Sequence, residues 1–258
     1  MNTETARALC AITSAFYRDN AASFSSTRHG AWAGWERALD QAGFTRENPP
    51  VRVLDVACGN MRFLDFLEKR YPGGSFDYRA VDNCEPLAES GSSVCFAGVD
   101  IVSALLGEDP QAALAAAFQG EPLADLAVCF GFFHHIPTMR ARRALLRALV
   151  RSVRPGGVVA TSLWQFVNSP ELARRARETD ALARAELGLP QLDEGDYLLG
   201  WQNKPGAYRY CHSFTRQEAD DLASGVAGEA ELIARFEADG RTGNLNAYLE
   251  LRRVQAPG

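Results

Sequence analysis

"RVLDVACGNMRFLDFL", residues 52–67, decides the fold. An apolar strand runs into Asp55 and a turn of small residues, and a second apolar-patterned segment follows at once, the outline of a nucleotide-binding strand-turn-helix unit. Such a turn is ordinarily rich in glycine, which adopts positive φ without strain and lets backbone approach a ligand closely. Here the glycine positions read Ala57, Gly59 and Met61. The loop poses the question of whether it holds a cofactor, and which one.

Outward from this unit, strand-like runs alternate with helical patterns. Strands are expected at 51–57, 76–82, 94–100, 123–130 and 157–164, with helices near 61–70, 85–90, 110–118 and 138–152. Parallel neighbours need crossover connections, so the pattern predicts an α/β fold: a doubly wound, mostly parallel sheet with helices on both faces. Thr138 is placed to cap the 138–152 helix, Leu145, Leu146, Leu149 and Val153 recur on one face, and "RPGG" ends it. "TRQE" (215–218) is a capping-box pattern, and "AELIARFEAD" and "NLNAYLELRR" read as two strands around the turn "GRTGN", an antiparallel edge at the C-terminal end.

A length of 258 residues fits one domain, 1–258. Its parts are a helical cap (1–48), a cofactor-binding core (51–165), a substrate-side insertion (170–213) rich in Gly, Pro, Trp and Tyr, and a closing helix and strands (214–254). No apolar run approaches the roughly 20 residues that span a bilayer, and the start lacks a basic n-region followed by an apolar stretch, so a cytoplasmic protein without membrane contact is expected. The six cysteines show neither a CxxC pair nor His-Cys ligand spacing, and no metal site is expected. The net charge of -5 gives no global attraction to nucleic acid. Residues 138–154 nonetheless carry six arginines and 171–187 four more, open to reading as solvated faces or as phosphate grips.

Ligands of open α/β sheets sit beyond the carboxyl ends of the strands. Those ends carry Asp55 to Asn60, Asp82, Asp100 and "GFFHH". Asp82 follows Asp55 at an interval suited to a carboxylate that accepts from ribose hydroxyls, and Asp100 is placed for an adenine amino group. There is no GxxxxGK[ST], no intact GxGxxG and no lysine at the loop, so a ligand without phosphates is favoured.

With these strand ends, "VLDVACGN", "AVD", "GVD", "FGFFHHI" and "VRPGGVV" resemble class I S-adenosylmethionine-dependent methyltransferases. The resemblance extends over nearly the whole chain to the tRNA wobble-uridine carboxymethyl methyltransferases. It is carried in order by "FYRDNAASFSSTRHGAWAGWERAL", "FHHIPTMRARRALLRALVRSVRPGG", "DYLLGWQ", "YRYCHSFTRQE" and "DGRTGN". It implies methyl transfer from S-adenosylmethionine to the carboxyl of a 5-carboxymethyl wobble uridine, with tRNA and a small activator protein as partners. Arg28 would bind the methionine carboxylate of the cofactor, Asp55, Ala57, Gly59 and Asn60 would form its loop, and Asp82, Asn83, Asp100, Ile101 and Phe130 would complete its pocket. His134, His212 and Arg241 would act on the acceptor beside Trp164 and Tyr210.

The family loop reads D-x-G-C-G-N-G, and this chain departs from it at Ala57 and Met61. Three functions therefore stand: the tRNA carboxyl methyltransferase, a methyltransferase of a small carboxylate or hydroxyl acceptor, and a non-catalytic RNA- or protein-binding relative. The histidines have a second reading as structural residues bonded to backbone, and Trp164 one as packing.

Overall fold

The structure, a computed structural model, describes residues 1–27, 30–83, 94–118 and 122–255. Its centre is a seven-stranded sheet of β1 (Arg52–Val56), β2 (Asp77–Asp82), β3 (Val94–Gly98), β4 (Ala124–Cys129), β5 (Val153–Trp164), β8 (Ala230–Ala238) and β9 (Asn246–Arg253), in the order β3-β2-β1-β4-β5-β9-β8. The first five pair in parallel, and β9 inserts antiparallel between β5 and β8. The expected antiparallel closing pair is present, with β8 at the edge.

Strand periodicity explains why both faces are covered. In β1 and β4, Val53, Leu126 and Val128 join one buried cluster, whereas Leu54, Val56, Ala127 and Cys129 join the other. Successive side chains point to opposite faces, so two apolar sets in one short strand require two helical layers. The first layer includes α2 (Ala33–Ala42) and α3 (Arg62–Arg70), which bring Trp35, Phe63 and Phe66 onto the sheet. The second includes α4 (Ile101–Leu105), α5 (Pro110–Phe118), α6 (Met139–Ser152) and α8 (Arg216–Ser224).

Local signals act as the sequence suggests. Thr138 accepts from the Ala141 amide at the start of α6, and Thr215 and Glu218 close a reciprocal capping box at α8. One boundary differs: β5 begins at Val153, and "RPGG" lies inside the strand at an irregularity in its pairing with β4. Glycines without a Cβ accommodate such a bend. The helix expected near 85–90 lies outside the described residues.

The insertion is more ordered than its composition suggests. After α7 (Pro170–Leu187), β6 (Asp196–Gly200) and β7 (Tyr208–His212) form an antiparallel hairpin. The N-terminal α1 (Thr3–Ser25) packs on this hairpin, burying Leu9 with Ala183, Leu192, Leu198 and Tyr210. No helix among the described residues is long and apolar enough to cross a membrane.

Candidate active site

A cavity of about 420 Å³ opens where β1, the strand at the switch in order, meets the ends of β2 and β4. Its floor is the β1–α3 loop. Ala57, Gly59 and Met61 have φ of 60°, 55° and 55°, so all three glycine positions of the pattern take the left-handed conformation. The fold holds a non-glycine residue there at a cost of about 1–2 kcal/mol each. The Ala57 amide donates to the Val81 carbonyl (2.7 Å), and the Met61 amide to that of Cys58 (2.9 Å). The Met61 side chain is buried in the α2–α3 layer, away from the cavity.

Two carboxylates close this end. Gly59 N–H donates to Asp82 Oδ2 at 3.0 Å, and Tyr78 O–H donates to Asp55 Oδ2 at 2.6 Å. Burial raises the Asp55 pKa to about 7 against the Tyr78 hydrogen bond, with the Asp82 charge pushing it up further. Asn60 donates to Ser25 Oγ (3.2 Å), tying the loop to the end of α1. Trp32 and Phe130 add aromatic walls, and Asn83 completes the rim.

The far side is built by the hairpin and the turn after β4. His135 is buried, its Nδ1 2.8 Å from the Tyr210 carbonyl and its Nε2 2.8 Å from Tyr17 Oη. A carbonyl only accepts, so Nδ1 carries the proton and Nε2 accepts from Tyr17. Burial drives the His135 pKa down to about 3, with the nearby Arg209 charge in the same direction, and the ring stays neutral. His134 and Trp164 line the cavity with ring centroids 5.0 Å apart. His134, His135 and Cys211 cluster closely enough to suggest a metal site. Both nitrogens of His135 are engaged, however, and burial raises the Cys211 thiol to about 11, so the cluster offers no ready ligand set.

The cavity thus gathers Asp55, Ala57, Gly59, Asn60, Asp82, Asn83, Phe130, His134 and Trp164. Arg28 lies outside the described residues. Five expected residues are placed elsewhere. Asp100 caps α4, accepting from the Ser103 amide (2.9 Å) and hydroxyl (2.7 Å), and Ile101 is core. Tyr210 O–H donates to Asp196 Oδ1 (2.6 Å) and receives from Arg142 (3.1 Å), while His212 bridges Asp196 (2.6 Å) and Glu218 (2.9 Å). This buried network locks the hairpin to α6 and α8, and it corrects the substrate role expected of Tyr210 and the catalytic role expected of His212. Arg241 is exposed on the turn after β8; Asp239 and Gly240 of that turn line the cavity, and Arg241 does not.

The cavity also takes residues that the sequence reading did not assign to the site, among them Tyr17, Ser25, Trp32, His135, Asp239 and Arg209. In a strand, alternate side chains face opposite ways, so a network on Tyr210 and His212 turns Arg209 to the other side. That side is the cavity. The alternation of "YRYCH" was the available signal.

An open α/β sheet with its crevice at the switch point, floored by a left-handed loop and edged by strand-end carboxylates, defines a domain that binds a nucleoside-type cofactor. Residues 26–218 match the family model described as "Methyltransferase domain", more than half of the chain, and the chain belongs to that family. It is 26% identical over 207 residues to "Putative methyltransferase ECU09_1500" of Encephalitozoon cuniculi (strain GB-M1), covering 77% of this chain and 78% of the relative. Among solved structures it resembles a DhpI–SAH complex, with a TM-score of 0.58, 16% identity, and 96% and 98% of the two chains covered. It also resembles SAM-bound CalS10, an amino pentose methyltransferase from Micromonospora echinaspora, at a TM-score of 0.51 and 19% identity over 91% and 96%. At these identities the structures speak for the fold.

Proposed function

We propose that this chain is an S-adenosylmethionine-dependent methyltransferase whose acceptor is the carboxyl of a 5-carboxymethyl-type wobble uridine in tRNA. The observation that carries the reading is convergence. Segments far apart in sequence, "FSSTRHGAW", "FHHI", "YRYCHSF" and "DGRTGN", each bring residues to the one cavity: Phe24, Ser25 and Trp32; His134 and His135; Arg209; Asp239 and Gly240. Those are the segments that resemble the tRNA family.

The cavity residues fit the cofactor. A Cβ built on Gly59 meets nothing within 4 Å, so backbone is open to close approach there. On this reading Asp82, bonded to the Gly59 amide, accepts from ribose hydroxyls, and Asp55 adds a carboxylate suited to a cationic ligand. When bound, S-adenosylmethionine supplies an electrophilic methyl group on a sulfonium. The chain's own task is then to align the acceptor and exclude water, for which Trp164, His134 and Tyr17 form a semi-aromatic wall. A carboxylate acceptor is ionised near neutrality and needs no general base. His135, neutral and held at both nitrogens, is suited to support that wall and not to carry a proton.

A small-molecule acceptor is the second reading, favoured by the net charge of -5, which gives tRNA no general attraction. The test uses tRNA bearing 5-carboxymethyluridine with radiolabelled cofactor, with and without an activator protein. Label in the tRNA, lost after base-labile ester cleavage, supports the first reading. No label in either arm removes it.

A further inference from the structure

Arg209 is 5% exposed, and its Nη1 is fully buried with no hydrogen-bond partner. Aromatic rings hold the guanidinium: its carbon lies 5.0 Å from the centroid of Phe16, 5.6 Å from Phe24 and 5.6 Å from Trp201. Cation–π contacts brace the charge without satisfying its N–H donors. No carboxylate forms an ion pair with it among the described residues. Its neighbours, the neutral His135 and the Cys211 thiol, bring no negative charge. A buried cation with an unused donor is costly unless something pairs with it, and Arg209 is one of the residues that line the cavity.

We propose that Arg209 is the anion anchor of the acceptor subsite, where it takes the carboxylate of a planar, ring-bearing acceptor. The inference rests on the methyltransferase reading above and adds the group that selects the acceptor. The charged residues of the cavity come from several elements. Asp55 and Asp82 of the sheet, with Arg62 of α3 near Asp55, form the end that suits a cationic cofactor; Asp239 comes from the turn after β8, and Arg209 of the hairpin suits an anion. Tyr17 and Trp164 also line the cavity, and aromatic rings there favour a planar ring beside that carboxylate. An arginine donating from one free edge grips one carboxylate oxygen and leaves the second exposed. The neutral methyl ester forfeits the charge-assisted bond, so the anchor discriminates substrate from product as well as acid from amide.

A carboxylate bound here has two possible sources, the acceptor or the amino-acid end of the cofactor, and direct binding separates them. Calorimetry on the full chain saturated with S-adenosylhomocysteine uses uracil-5-acetate, its amide and its methyl ester as probes. The acetate is expected to bind on the order of ten-fold tighter than either neutral probe, the fold-change of a charge-assisted hydrogen bond. Arg209→Gln is expected to remove that preference while S-adenosylhomocysteine affinity stays within about two-fold, and Arg209→Lys to retain part of it. Equal binding of the three probes to the unaltered protein overturns the proposal without needing a variant. A ten-fold loss of S-adenosylhomocysteine affinity in Arg209→Gln also overturns it, by assigning the guanidinium to the cofactor. An Arg209-dependent acetate preference with no label in tRNA supports the anchor and removes the tRNA reading. Labelled tRNA without that preference does the reverse.

Discussion

The amide of Gly59 and the carboxylate of Asp82 meet at 3.0 Å, joining the loop after β1 to the end of β2. This bond fixes the rim that the cofactor reading assigns to the ribose. Asp82 also lines the cavity. Asp82→Ala removes both the loop tie and the acceptor of hydroxyl hydrogen bonds, each worth about 0.5–1.5 kcal/mol or more when charged. S-adenosylmethionine affinity is expected to fall by ten-fold or more, with a smaller loss of thermal stability. Unchanged affinity by calorimetry assigns the cofactor to other residues.

Ala57 and Met61 share a backbone problem and differ in their side chains. Both have positive φ, but Ala57 borders the cavity whereas Met61 is 4% exposed in the core. Glycine at 57 relieves about 1–2 kcal/mol of left-handed strain against about 0.4–1 kcal/mol of added freedom in the unfolded chain. Ala57→Gly is therefore expected to be neutral or stabilising. Met61→Gly gains the same relief and loses a buried side chain worth about 2–5 kcal/mol, so it is expected to destabilise. Urea denaturation of both variants checks the opposite signs; equal losses refute the assignment.

Asp55 gives the site a pH signature. Burial raises its pKa to about 7, so it changes charge near neutrality in the ligand-free protein. A cationic ligand favours the ionised form, and its affinity is expected to rise with pH and level off above about 7. Asp55→Asn should flatten that rise. A parallel pH dependence in the two proteins, measured with S-adenosylmethionine by calorimetry, contradicts the role.

The strand-turn-helix at 52–67 was legible because strand periodicity, Asp55 and the left-handed turn all act locally, and the strand alternation likewise announced the parallel sheet. The β6–β7 hairpin was obscured because its strands are short and interrupted by Gly, Trp and Pro, and its pairing is fixed by packing on α1 and α7. Asp100 shows another limit. A carboxylate at a strand end looks alike in sequence whether it meets a ligand or caps a helix, and here Ser103, three residues on, takes both oxygens. Tyr210 and His212 were assigned to the site through the resemblance carried by "YRYCHSFTRQE", whereas strand alternation sends Arg209 there.

The buried network behind the hairpin is the stability counterpart of that alternation. Arg142 is 3% exposed; it donates to the Ile136 carbonyl (2.9 Å) and the Tyr210 hydroxyl (3.1 Å) and lies 3.8 Å from Asp196. Removing its charge alone leaves Asp196 buried without its cation. Arg142→Met is expected to cost about 3–5 kcal/mol, as for other broken buried pairs. A loss below 1 kcal/mol in urea denaturation would show that the network is not a stabilising unit.

Glu250 is the opposite case, a buried carboxylate without compensation. It sits in β9 between Ala160 and Ala234, with no exposed surface and no hydrogen-bond partner for either oxygen. Burial raises its pKa to about 8, and Arg37, stacked 4.2 Å from the Phe236 centroid, offsets this only in part. The folded protein holds this proton more tightly than the unfolded chain, whose carboxyl keeps the ordinary value. Its contribution is therefore fully present below the unfolded pKa, near 4.5, and is lost as pH rises through about 8. Asp55 adds a loss of the same sign up to about 7, so the informative quantity is the difference between variant and parent. Glu250→Met removes the group that must ionise and keeps much of the volume. Its stability relative to the parent is expected to rise between pH 5 and 8.5 by about 1–3 kcal/mol, the cost of an unsatisfied buried polar group. Denaturation curves that shift in parallel across that range would mean that Glu250 ionises in the folded protein as readily as in the unfolded one.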